Sequence, residues 1–79
     1  MLDEHKFIEN FADQFDDTDV TELALETKFR DLDEWSSIIA LSVMAMCAEE
    51  YDVILSANEM ENANRISDIY NIVKSRVSK

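Results

Sequence analysis

The chain has 79 residues, enough for one small domain, and 47% of them are hydrophobic, which predicts a folded chain rather than a disordered one. It contains no glycine or proline, one cysteine and one histidine. This excludes a glycine-rich phosphate loop, an internal disulfide and a cysteine or multi-histidine zinc site, and it favours helices over tight hairpins. Because the formal net charge is −11, we expect no binding to nucleic acid and attraction to basic protein surfaces.

The first predicted helix runs from about Asp3 to Phe15. Its apolar residues recur with the period of an α-helix and should face the core: Phe7, Ile8, Phe11 and Phe15. Residues 16–35 are predicted to form a long loop, because they begin with a cluster of turn formers and lack clean helical spacing. Four apolar residues should attach this loop to the core: Leu23, Leu25, Phe29 and Leu32.

The second predicted helix, from about Ser36 to Tyr51, is apolar on nearly all sides. One face should pack in the core: Ala40, Val43, Met44, Cys47 and Tyr51. The other face carries Ile38, Leu41 and Ala45. A domain of this size can hardly bury one helix on both sides, so we predict that these three residues bind a partner protein.

Two further helices are predicted in the C-terminal part of the chain. A short third helix should begin at Ser56, which forms a capping-box pattern with Glu59. The last helix should run from about Ser67 to Val77. Its apolar stripe and its C-terminal basic residues are Ile66, Ile69, Tyr70, Val73 and Val77, with Lys74, Arg76 and Lys79. The chain is therefore predicted to be all-α, a small four-helix bundle with three longer helices, one short helix and a long first loop.

Few residues are candidates for chemistry. Cys47 falls on the core stripe of the second helix and is interpreted as a small buried hydrophobe, while His5 is interpreted as a solvated residue of the first turn. No catalytic residues and no metal ligands are predicted, so we do not expect an enzyme. The pair Ser36 and Ser37 stands out, because one serine is enough to cap a helix. If Ser36 is the cap, the Ser37 hydroxyl can point outward, where the helix N-terminus would favour a phosphate ester.

The run FRDLDEWSSIIALSVMAM (residues 29–46), followed by Glu49, Glu50 and Tyr51, resembles the acyl carrier protein family. In that family an Asp-Ser-Leu motif opens the second helix, and its serine carries 4′-phosphopantetheine derived from coenzyme A. Ser37 occupies the serine position. The acidic and aromatic residues at 49–51 match the end of the family's second helix. The resemblance in helix order covers nearly the whole chain.

This resemblance implies a single carrier domain over residues 1–79 with the acyl-carrier-protein type of bundle. It implies that Ser37 is the attachment site of a 4′-phosphopantetheine arm, which holds an acyl intermediate as a thioester in a specialised fatty acid or polyketide-type pathway. The implied partners are a phosphopantetheinyl transferase and the enzymes that load and process the acyl group. Flexible Met44 and Met46 would suit a core that parts to shelter the acyl chain.

The chain departs from the family pattern around the motif. Ser36 replaces the family aspartate, and Ile39 and Ser42 replace acidic residues on which family partners dock. We therefore expect docking to depend more on Ile38, Leu41 and Ala45, with Glu49 as the acidic contact of the partner surface. Two alternatives stay open. The chain could be a peptidyl or aminoacyl carrier, or it could be an unmodified acidic helical module that binds another protein.

The sequence also leads to an expectation about location. The N-terminal residues contain no apolar signal segment. The longest uncharged stretch, residues 35–48, is shorter than the roughly 20 residues that a membrane helix needs. A single free thiol suits a reducing compartment. We therefore expect a cytoplasmic protein that does not contact membranes. We also expect it to be a monomer.

Overall fold

The computed structural model describes residues 3–77. Within that range there are four α-helices and no strands: α1 Glu4–Ala12, α2 Ser37–Tyr51, α3 Ala57–Asn62 and α4 Ile66–Val77. The predicted all-α class, with three longer helices and one short one, is confirmed for these residues. No helix in this range is long and apolar enough to cross a lipid bilayer.

Helix α1 begins one residue after its predicted start and ends three residues before its predicted end. Asp3 is the N-cap, and its carboxylate accepts a hydrogen bond from the His5 N–H at 2.9 Å. After Ala12 the chain tightens into i to i+3 hydrogen bonds, one of which joins the Phe15 N–H to the Ala12 carbonyl at 3.0 Å. Phe15 therefore lies outside the helix, yet its side chain is still buried as predicted.

The long loop between α1 and α2 contains two short 3₁₀ helices, Val20–Glu22 and Phe29–Asp31, which were not predicted. The first starts with a capping box formed by Asp19 and Glu22, a signal that the sequence does contain. Leu23 and Phe29 are buried, while Leu25 and Leu32 are partly buried against the core. The prediction that these residues attach the loop to the core is confirmed.

Helices α3 and α4 begin within one residue of their predicted starts. Ser56 caps α3, and the capping box with Glu59 is formed. The start of α4 is joined to the long loop, because the Ser67 N–H donates to the Leu25 carbonyl at 2.8 Å. Lys74 and Arg76 lie in the last turn of α4, as predicted, and Lys79 lies outside the described residues.

The core lies between α1, α2, α4 and the long loop. Its fully buried side chains are Phe7, Phe11, Phe29, Val43, Cys47, Ile66, Ile69 and Val73. Aromatic rings form a continuous row through it. Phe11 packs on Phe29 with ring centroids 5.8 Å apart, and Phe29 packs on Trp35 at 4.5 Å. The row ends at Trp35, immediately before Ser36, the N-cap of α2.

Helix α2 is buried over a wider arc than predicted. Val43 and Cys47 are buried as expected, but so is Met46, which was not placed on the core stripe. Met46 lines a separate cleft between α1 and α2. The physical reason is that α2 contacts both α1 and α4, so its apolar contact is broader than one narrow stripe.

Candidate functional site

The two serines at the start of α2 have different roles. Ser36 is the N-cap, and its hydroxyl oxygen accepts a hydrogen bond from the Ile39 N–H at 3.3 Å. Ser37 is the first residue of the helix, and its side chain is exposed. Among residues 3–77, no hydrogen bond engages the Ser37 hydroxyl. The condition considered from the sequence, that Ser36 is the cap and Ser37 the first helical residue, is therefore met.

An open groove of about 580 Å³ begins beside Ser37 and runs between α2 and α3. Its wall on the α2 side is formed by Ala40, Leu41 and Met44, while Met60 is a buried apolar residue on the α3 side. Flexible thioether side chains on both walls allow the groove to adapt to different apolar shapes. The complete lining is Arg30, Trp35, Ser36, Ser37, Ala40, Leu41, Met44, Ala57, Met60 and Glu61.

The four predicted partner-binding residues lie on one exposed face of α2. Ile38 is 75% exposed and Leu41 is 64% exposed, and Ala45 and Glu49 are exposed as well. Their spacing of three, four and four residues places them on the same side of the helix. We call these four residues the α2 outer face. It extends over about 16 Å at 1.5 Å per residue.

Charge is distributed unevenly along the α2 outer face. No charged side chain occurs in α2 before Glu49, so its first three turns are neutral. Acidic residues begin only in the last turn, with Glu49 and Glu50. A protein that binds this face would therefore meet an apolar surface beside Ser37 and negative charge at the far end.

The segment in front of Ser37 is held by a carboxylate that sequence reasoning missed. Glu34 accepts hydrogen bonds from the Thr18 hydroxyl at 2.7 Å and from the N–H groups of Asp16 and Asp17 at 3.0 Å. These donors, the Thr18 hydroxyl foremost, lower the pKa of Glu34. Glu34 thereby ties the start of the long loop to the residues preceding α2. No local pattern announces a contact between residues 16 or more positions apart.

Arg30 is a second residue of the site that the sequence did not reveal. Its Nε donates to the Ala63 carbonyl at 2.8 Å, and its Nη2 donates to the Met60 carbonyl. Its guanidinium also lies 5.6 Å from the centre of the Phe29 ring. Arg30 thus joins the long loop to the C-terminal end of α3, at the edge of the groove.

Cys47, His5 and Tyr51 lie outside the groove. Burial raises the pKa of the Cys47 thiol to about 11, which makes it a poor nucleophile. His5 is exposed and lies 3.1 Å from Glu9. Tyr51 is partly buried, and its hydroxyl oxygen accepts a hydrogen bond from Asn10 Nδ2 at 2.9 Å. The aromatic end of α2 therefore stabilises the contact with α1.

Comparison with protein-family models, curated proteins and solved structures finds no match to this chain. A function must accordingly be argued from the arrangement of the residues themselves. The relevant elements are an exposed serine that is not needed as a cap, an adjacent groove with a mainly apolar lining, and an exposed apolar helix face.

Proposed function

We propose that this chain is an acyl carrier protein that holds an acyl intermediate on a 4′-phosphopantetheine arm attached to Ser37, in a specialised fatty acid or polyketide-type pathway. The observation that carries the proposal is that Ser36 alone serves as the helix cap, while Ser37 is exposed. Because Ser36 caps α2, the exposed Ser37 hydroxyl can be esterified without loss of the cap. A modifying enzyme can reach this hydroxyl from solvent.

The start of helix α2 suits a phosphodiester. The N-terminus of the 15-residue helix α2 carries partial positive charge, which stabilises an attached anion. The first turn of α2 contains no acidic side chain that would repel it. When bound, the arm would supply a terminal thiol that holds the acyl group as a thioester. Ser37 would contribute the attachment point, and the protein would act as a mobile tether that raises the effective concentration of cargo at each partner enzyme.

The groove beside Ser37 favours an apolar acyl cargo over a charged aminoacyl one, since Ala40, Leu41 and Met44 form its α2 wall. Replacing Met44 with Trp should fill part of this groove and speed hydrolysis of an acyl thioester on the modified protein. Met46→Leu is the matched control, because Met46 lines the cleft on the α1 side. If Met44→Trp leaves hydrolysis unchanged, the cargo is not sheltered there.

The α2 outer face is the proposed docking surface for the phosphopantetheinyl transferase and the acyl-loading and acyl-processing enzymes. Since its first three turns are uncharged, complex formation should weaken only modestly as salt is raised. Leu41→Asp should slow transfer of phosphopantetheine to Ser37. Glu61→Gln, on the opposite side of the groove, should leave the transfer rate unchanged. A transfer rate that falls steeply with salt would point to acidic residues elsewhere on the chain.

The decisive experiment is the intact mass of the protein after incubation with coenzyme A, magnesium and a broad-specificity phosphopantetheinyl transferase. Ser37→Ala and Ser36→Ala are a matched pair of variants. We expect a gain of one phosphopantetheine in the wild type and in Ser36→Ala, and no gain in Ser37→Ala. Circular dichroism should establish that each variant is folded before the masses are compared.

The other outcomes also have a definite meaning. Modification of Ser37→Ala but not of Ser36→Ala would move the attachment site by one residue. No modification of a folded wild-type chain would refute the carrier proposal. The exposed apolar residues Ile38 and Leu41 would then favour the second candidate function, an unmodified acidic module that binds a partner protein through the α2 outer face.

A further inference from the structure

Helix α3 forms one wall of the groove, and it depends on contacts from outside for its position. It has only six residues, too few to be stable as an isolated helix. Two arginines from other elements bind it, one near each end. Arg30 comes from the long loop and Arg76 from α4. The two arginines bind opposite ends of α3, and only Arg30 lines the groove.

The N-terminal end of α3 is held by several mutually supporting contacts. The Arg76 guanidinium donates to the Ile54 carbonyl at 3.0 Å and to the Glu59 carboxylate. Glu59 in turn accepts a hydrogen bond from the Ser56 N–H at 2.9 Å as part of the capping box. Arg76 does not line the groove. This end of α3 therefore stays anchored to α4 and to the α2–α3 connection.

The C-terminal end of α3 is held differently. Within residues 3–77, the side chain that binds its last carbonyls is Arg30, through the bonds to Met60 and Ala63. The backbone bond that closes this end, from the Ala63 N–H to the Met60 carbonyl, is long at 3.3 Å. Arg30 also lines the groove beside Trp35 and Ser37.

From this asymmetry we propose that Arg30 is a latch that controls opening of the groove, with the Arg76 end of α3 acting as the hinge. Release of the guanidinium from the Met60 and Ala63 carbonyls lets the C-terminal end of α3 move away from α2. Met60, which packs in the core and also lines the groove, then exchanges core contacts for contacts with the occupant. We take the occupant to be the acyl chain, and this part of the inference rests on the proposed carrier function.

The latch can be tested on the unmodified protein, independently of Ser37. The variants are Arg30→Gln and, as a matched control, Arg76→Gln. The first readout is amide hydrogen exchange at Ala63 and at Glu59, which report on the two ends of α3. Arg30→Gln should speed exchange at Ala63 about tenfold, equivalent to about 1.4 kcal/mol, and leave Glu59 nearly unchanged. Arg76→Gln should have the reverse pattern.

The second readout is binding of N-phenyl-1-naphthylamine, a neutral apolar probe that the acidic protein does not repel. Trp35 is the only tryptophan and lines the groove, so quenching of its fluorescence reports occupancy. Because apparent affinity scales with the open fraction, Arg30→Gln should lower the apparent Kd of the probe about tenfold, and Arg76→Gln by less than about twofold. If Arg30→Gln fails to fold, Arg30→Lys takes its place in the test, because lysine keeps the positive charge but lacks the paired donors that bind the Met60 and Ala63 carbonyls.

The latch is refuted if Arg30→Gln changes neither Ala63 exchange nor probe affinity. It is also refuted if both arginine variants change both readouts equally, because that result indicates general loosening. If the variants bind the probe as expected but Ser37 is not modified, the latch proposal stands and the carrier proposal is refuted. If Ser37 is modified but the arginine variants lack the expected exchange pattern, the carrier proposal stands and the latch proposal is refuted.

Discussion

The clearest test of the structure compares alanine substitutions at two positions of α2 that are two residues apart and therefore lie on opposite sides of the helix. Val43 is fully buried, whereas Leu41 is 64% exposed. Val43→Ala removes two methyl-sized groups worth about 0.8 kcal/mol each and leaves a small cavity. Alanine's better helix propensity recovers about 0.5 kcal/mol. With about 1 kcal/mol more for the cavity, the net loss in the free energy of unfolding should be about 2 kcal/mol.

That loss is large for a domain of this size. At the usual stability per residue, 79 residues correspond to about 4–12 kcal/mol in total. Val43→Ala should therefore lower Tm by about 8–16 °C. Leu41→Ala removes more atoms, but only about a third of the side chain is buried. Its cost, after the gain in propensity, should be about 0.5 kcal/mol.

The assay is urea unfolding followed by far-ultraviolet circular dichroism and by Trp35 fluorescence, with coincident transitions as the check for two-state behaviour. Equal destabilisation by the two substitutions would refute the reasoning, because Leu41 would then be covered in solution. A dependence of the Leu41→Ala effect on protein concentration would identify a second copy of the chain as the cover. A neutral Val43→Ala would mean that α2 is rotated relative to the core.

Three further predictions concern buried or hydrogen-bonded groups. The pKa of Glu34 is lowered in the folded state. The ionised carboxylate therefore stabilises the fold above about pH 4.5, and this stabilisation is lost as pH falls further. Glu34→Gln should lower the urea midpoint at neutral pH but not in strong acid. Cys47, with its pKa raised to about 11, should react with a disulfide reagent only slowly until guanidinium chloride unfolds the chain. Tyr51→Phe leaves the buried Asn10 amide without its partner and should cost about 1–2 kcal/mol in urea unfolding, part of which Asn10→Ala in the same chain should restore.

Sequence reasoning was accurate for several features whose signal lies within a few residues, although the local Asp19–Glu22 capping box was not recognised. The Ser56–Glu59 capping box forms as predicted, and α2 ends at Tyr51 as predicted. Ser36 caps α2, which was considered from the sequence as a condition. The exposure of Ile38 and Leu41 was also predicted, because α2 is more apolar than a 79-residue domain can bury. These features follow from hydrogen bonding and periodicity within one turn or two, which the order of residues determines directly.

Tertiary structure alone decided the features that join distant segments. Glu34 meets Thr18 across 16 residues, and Arg30 meets Ala63 across 33. Met46 became a core residue because α1 packs on that side of α2. None of these contacts has a local signature, since an arginine or glutamate in a loop has the same neighbours in sequence whether or not it finds a partner. Packing of the helices brings such groups within hydrogen-bond distance, and packing depends on the whole chain.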